Sequence, residues 1–151
     1  MSFEKVFPKT LKFISLRPRS QKEILTYLTK KSPDQKIREK IFQKLTSLGL
    51  ADDQAFVQWW VEQRNTFRPK GKRALIMELR QKGIDRDLSE TIINREVDEK
   101  NLAKTLFLKK KKVWEKLPFE MQQEKLASFL GRRGFAWNTI KALLDENRQK
   151  Q

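Results

Sequence analysis

The chain has 151 residues, the length of one ordinary domain, and 38% of them are hydrophobic, enough for small cores but lean for a single large one. Its 34 Lys and Arg against 19 Asp and Glu leave a formal charge of +15, so the partner to look for is a polyanion, nucleic acid first. Cys and His are both absent, which excludes disulfides, the usual zinc sites, thiolate nucleophiles and the commonest general base at neutral pH.

The first residues, MSFEKVFPKTLKF, lack the apolar centre and small-residue cleavage site of a secretory signal, and no apolar run approaches the roughly 20 residues that cross a bilayer. A cytoplasmic protein without membrane contact is expected. From Arg17 the chain reads RPRSQKEILTYLTKKSP, and 51 residues on, from Arg68, it reads RPKGKRALIMELRQKGI. Under that shift Arg17-Pro18 falls on Arg68-Pro69, Lys22 on Arg73, Ile24 on Leu75, Leu28 on Leu79, Ile41 on Ile92 and Phe42 on Ile93. A second shift carries Leu75 to Leu126, Leu79 to Leu130, Ile92 to Leu143, Ile93 to Leu144, and QKGI at 81–84 to RRGF at 132–135. Three tandem repeats of about 51 residues follow, spanning 1–49, 50–97 and 98–151.

Each repeat reads as three short helices, because Gly and Pro total ten residues and sit at the seams. Ser20-Gln21-Lys22-Glu23 has the form of a capping box that opens a helix near 20–31, and Ser32-Pro33-Asp34-Gln35 has that form again for a helix near 33–47. Gly49, Gly83 and Gly134 stand where a helix end enters the left-handed region. Asp52, Asp85 and Asp98 stand where carboxylates cap the next helix starts. The pairs Leu75/Leu79, Leu88/Ile92, Leu126/Leu130 and Ile140/Leu144 are four apart and so share a helix face. One such repeat buries little alone, so an elongated, curved all-α array of stacked repeats is expected.

The threefold repeat, LGLADDQAFVQWWVEQR at 48–64, RPKGKRALIMELRQKGID at 68–85 and FLGRRGFAWNTI at 129–140 together resemble the RecX family, bacterial regulators of the RecA recombinase. The resemblance covers nearly the whole chain. Its most specific part is the order Gly49, Asp52, Asp53, Phe56, Val61, Arg64, then Pro69-Lys70-Gly71. It implies a non-enzymatic protein, without cofactor, that lodges as a monomer in the groove of RecA–DNA filaments. There it would inhibit strand exchange, ATP hydrolysis and the co-protease role, and so modulate recombination, DNA repair and the SOS response. Weaker, salt-dependent binding to single- and double-stranded DNA is expected beside the RecA filament. The alternative is a general basic helical-repeat protein that binds nucleic acid, for which charge alone is sufficient.

Cations beside apolar stripes are the candidate contacts. Arg64, Arg68, Lys70, Lys72, Arg73, Arg80 and Lys82 crowd one stretch with a single acid, Glu78. Lys109, Lys110, Lys111 and Lys112 form a second group on a helix expected over 98–117 with Leu102, Leu106, Val113 and Leu117 on its apolar stripe. Lys110 sits on that stripe, either as a stem along the core edge with its ammonium in water or as a cation bordering a phosphate or an acidic partner surface. Arg132 and Arg133 complete the set. Trp59, Trp60, Trp114 and Trp137 read mainly as core, with Trp59 turned about 100° from Trp60. Asp52-Asp53 and Asp85-x-Asp87 are the only close Asp pairs that resemble a magnesium site, and both fall at helix starts where capping explains them. Gly71-Lys72 lacks the remainder of a phosphate loop, so no active site is expected.

Overall fold

The computed structural model describes residues 2–150, and among them there are nine α-helices and no strand. They are α1 (Phe3–Leu16), α2 (Gln21–Lys31), α3 (Gln35–Ser47), α4 (Asp53–Phe67), α5 (Lys72–Gln81), α6 (Arg86–Glu96), α7 (Glu99–Val113), α8 (Phe119–Arg132) and α9 (Trp137–Gln149). The fold is an all-α helical repeat.

The repeated apolar positions are the buried ones. Ile24, Leu75 and Leu126 are fully buried, and so are Leu28, Leu79 and Leu130. Each such side chain, removed from water, contributes about 1.5–3 kcal/mol. Ile41 and Ile92 are buried as well, with their third counterpart Leu143 at a core edge.

Two compact units result, one made of residues up to Trp60 with Leu79–Ser89, the other of Val61–Glu78 with residues from Glu90 onward. In the first, α1, α2 and α3 pack on one another around Val6, Ile24, Leu28, Ile41, Leu45 and Ala51. In the second, α7, α8 and α9 close around Ala103, Phe107, Leu126, Phe129, Leu130, Phe135 and Ile140.

Local signals set most boundaries. Ser20 and Glu23 form the full capping box at α2. Gly49, Gly83 and Gly134 have φ of +72°, +79° and +85°, the conformation that lets each helix end turn back. The second capping box is not formed. Ser32 instead ends α2, its amide donating to the Leu28 carbonyl, and its hydroxyl accepts from the Asp34 amide at 3.3 Å. Asp34 is the true cap, accepting from the Lys36 amide at 2.9 Å, so α3 starts at Gln35. The helix expected over 98–117 ends at Val113, which is 68% exposed. Its inner face is Ala103, Phe107, Lys110 and then Trp114, a run of i, i+4, i+7 and i+11 that follows the helical period.

One type of contact recurs. In the first unit Gly83, after α5, lies against Lys22 in the first turn of α2; a methyl group at Gly83 would stand 2.6 Å from the Lys22 Cβ. In the second unit Gly134, after α8, lies against Ala74 in the first turn of α5, and its methyl would stand 2.6 Å from the Ala74 amide nitrogen. Gly71 is buried there too, donating its amide to the Arg133 carbonyl at 2.7 Å.

Candidate nucleic-acid interface

The central basic run is divided by its only acid. Arg64 on α4 forks onto Glu78 of α5, Nη2 to Oε2 at 2.7 Å and Nε to Oε1 at 3.1 Å, and Lys70 reaches Oε2 at 3.0 Å. These two cations therefore hold α4 and the 68–71 turn to α5. Lys72 donates its ammonium to Asn94 Oδ1 at 3.1 Å. Arg68 and Arg73 are exposed, and among the described residues their side chains enter no ion pair or hydrogen bond. Arg80 and Lys82 belong to the first unit. Arg80 is likewise exposed and unpaired among the described residues, while Lys82 approaches Glu23 at 3.5 Å and stands 5.6 Å over the Trp60 ring.

In the second unit Arg133 donates to the Pro69 carbonyl at 3.2 Å and stacks 5.0 Å over Phe129, which brings it beside the Pro69–Gly71 turn. Lys110 stands over the same Phe129 ring at 4.9 Å and over Trp114 at 5.7 Å, and Lys125 covers Trp114 at 5.9 Å. The position of Lys110 is thus settled: a half-buried stem with its charge on aromatic faces. Lys109 and Lys112 are exposed and Lys111 is half-buried, because four successive residues turn through a full circle of α7 and cannot face one way. Arg132 is exposed beside a cavity of about 430 Å³ whose wall includes Trp114 and Lys125.

The first repeat supplies cations that the sequence reading passed over. Arg17 forks onto Glu23, Nη2 to Oε2 at 2.5 Å, and lies 5.5 Å over Trp59. Burial pushes the Glu23 carboxyl up, but the Ser20 amide, the Arg17 guanidinium and the Lys82 charge outweigh it and hold the group below the usual glutamate value. Arg19 and Lys22 follow. The signal was present, since Arg17 aligns with Arg68 and Lys22 with Arg73. Trp59 and Trp60 are both half-buried around Phe56, each under a cation, whereas Trp137 is 58% exposed and not core.

The carboxylate pairs act on backbone. Asp52 Oδ1 accepts from the Gln54 and Ala55 amides, and Asp53 Oδ1 from the Gln21 amide at 2.8 Å. Burial first, then its neighbour Asp52, raise the Asp53 carboxyl above its ordinary value, against the pull of the Gln21 amide. Glu99 accepts from the Lys72 amide at 2.8 Å through one oxygen and from the Ala136 amide at 3.1 Å through the other. Among the described residues no group of three Asp or Glu is placed to hold a metal ion, and no helix is long and apolar enough to cross a membrane.

The molecule is thus an all-α helical-repeat protein whose surface couples cations to aromatic rings. A family model described as RecX, second three-helix domain, matches residues 52–91. The regulatory protein RecX of Chlorobium phaeobacteroides strain BS1 is 34% identical over 149 residues, covering 95% of this chain and 93% of that one. Its counterpart from Prosthecochloris aestuarii is 31% identical over 147 residues, with 94% and 93% covered. The crystal structure of RecX from Lactobacillus salivarius superposes with a TM-score of 0.84 at 23% identity over 95% of both chains. The chain belongs to the RecX family of regulatory proteins.

Proposed function

We propose that the protein is a non-enzymatic regulator of RecA that lodges in the groove of RecA–DNA filaments, inhibits their activities and so modulates recombination and DNA repair in the cytoplasm. What supports the reading is family membership over nearly the whole chain, 95% of it against a relative of similar length. The repeats at 1–49, 50–97 and 98–151 serve as successive three-helix modules of one monomer. Arg68, Arg73 and Arg80, whose charges no acid compensates, are the first residues expected to meet phosphate or acidic RecA side chains. Lys70, Arg64 and Lys72 have structural partners and contribute less.

The test is a titration of RecA ATPase on single-stranded DNA. Inhibition should appear at protein concentrations far below those that coat the DNA. Inhibition only at coating concentrations would favour the second reading, a general nucleic-acid-binding protein, which the charge of +15 supports. Replacing Arg68, Arg73 and Arg80 by Gln should leave the fold intact and flatten the log K against log salt slope on duplex DNA by about 2.7, at about 0.9 per phosphate contact.

A further inference from the structure

The first unit contains a cleft of about 340 Å³ between the end of α1, the length of α2 and the residues that follow α5. Its cations are Arg19, Lys22, Lys30 and Lys82, and its one acid is Glu23. Glu23 is already engaged by Arg17, by Lys82 and by the Ser20 amide. The wall is left with an uncompensated excess of positive charge. One of the cations is held rigidly: Arg19 donates Nε to the Phe13 carbonyl at 3.1 Å and lies 3.8 Å over the Phe13 ring. That ring is itself stacked on Tyr27 at 4.2 Å and 13°. Burial and, after it, the neighbouring Arg17 hold the Arg19 guanidinium below the usual arginine value, outweighing the attraction of Glu23. Lys22 and Lys30 are exposed, and Lys30 has no side-chain partner among the described residues.

We propose that this cleft is a phosphate site: Arg19, fixed by its aromatic stack, supplies a planar fork, Lys30 supplies a free charge, and Lys22, held on the Gln81 carbonyl at 3.3 Å, and Lys82, beside Glu23, add positive charge around it. The volume exceeds that of one phosphate and lies at the low end of small-molecule pockets, so a phosphate with its attached sugar fits. The group can belong to the backbone of a single strand or to a free nucleotide. The inference rests on the nucleic-acid half of the function above and is independent of RecA.

The test compares the full chain with a Lys22→Gln/Lys30→Gln variant and with a Lys40→Gln/Lys44→Gln control, in which two exposed lysines of α3 outside the cleft are neutralised. Binding of a labelled oligothymidylate is followed by anisotropy over a salt series. The cleft variant should bind about tenfold more weakly at low salt, with a slope flatter by about 1.4 for two single-strand contacts, and the control should stay close to wild type. Equal losses in both variants, or none in either where the wild type binds the strand, would overturn the proposal. Amide shifts of Arg19, Lys22 and Lys82 on adding ATP without magnesium, or oligothymidylate, separate the sources. Shifts with the strand alone assign a backbone phosphate, shifts with ATP assign a nucleotide phosphate, and shifts with neither reject the site. A rejected site with RecA inhibition intact removes the cleft only; a wild-type chain that shifts with ATP but binds no strand removes the DNA half of the function and retains the site.

Discussion

Two helix starts, 51 residues apart in sequence, solve one problem in different ways. At α2 the Gln21 amide is taken by Asp53, the first residue of α4; at α5 the Lys72 amide is taken by Glu99, the first residue of α7. In the first unit the arrangement is redundant, since Ser20 and Glu23 also cap α2 and the Gln21 side chain donates to the Ala51 carbonyl at 2.9 Å. In the second unit the residue aligned with Ser20 is Gly71, which cannot cap with a side chain. It must be Gly because a methyl there would run into the Gly134 carbonyl and stand 2.5 Å from the Phe135 amide. Close backbone approach excludes a side-chain self-cap at Gly71, and Glu99 holds the Lys72 amide as Asp53 holds that of Gln21. The other Glu99 oxygen, Oε1, serves the start of α9, accepting from the Ala136 amide and from the Thr139 hydroxyl at 3.4 Å.

The comparison is broken most severely at the glycines. Gly134→Ala should cost about 3 kcal/mol or more, adding left-handed strain to a collision with the Ala74 backbone that cannot yield. Gly83→Ala should cost about 2 kcal/mol, less than Gly134→Ala because it meets side-chain rather than main-chain atoms, yet still substantial because the nearest, the Lys22 Cβ at 2.6 Å, is fixed to the α2 backbone. Urea midpoints at unchanged m-value read the difference, and equal costs would deny that the second contact is the tighter. Next come the acids. Glu99→Ala removes acceptors from two helix starts and should cost about 2–3 kcal/mol, whereas Asp53→Ala, at a start with its own capping box, should cost about 1 kcal/mol or less.

The smallest effect is in pH. Glu23 sits below its ordinary value, so its stabilisation is complete above the ordinary value and is lost as pH falls from there through the depressed one; Glu23→Gln should flatten the acid limb of the stability curve. Asp53 sits above its ordinary value and contributes in the opposite sense. Its share is present at low pH and lost as pH rises from the ordinary aspartate value through the raised one, so Asp53→Asn should remove that decline. Melting temperatures of both variants across the carboxylate range check the signs.

Much of this could be read from the sequence, for a physical reason. Ile24, Leu75 and Leu126 recur at one spacing and each is fully buried on its helix, and a burial pattern within one helix is local information. Gly83 and Gly134 were legible because a helix end has few ways to turn. The Ser32 cap was misread because Ser and Asp two residues apart both accept from backbone, and only the packing of α2 decides which one does. On α7 the expected stripe holds at Leu102 and Leu106, which pack on the core beside the buried Ala103 and Phe107, and departs from it at Val113, which is exposed where the helix ends. The basic surface was the least legible. Arg133 with the Pro69 carbonyl, Lys82 with Glu23 and Lys72 with Asn94 are pairings across 64, 59 and 22 residues, and no spacing rule reveals which cations they remove from the free set.

The borrowed cap has a consequence for construction. The starts of α2 and α5 each receive an acid from the first residue of a later helix, while α8 begins at Phe119 after Pro118, which provides no side-chain cap. A three-helix segment grafted after α9 would therefore need two fittings to couple at α8: an acid at the first position of its opening helix, and a left-handed glycine after its second. With those in place the joint becomes an interchangeable connector, and arrays of chosen length could be assembled from one unit and tested for how reach along a polymer scales with the number of modules.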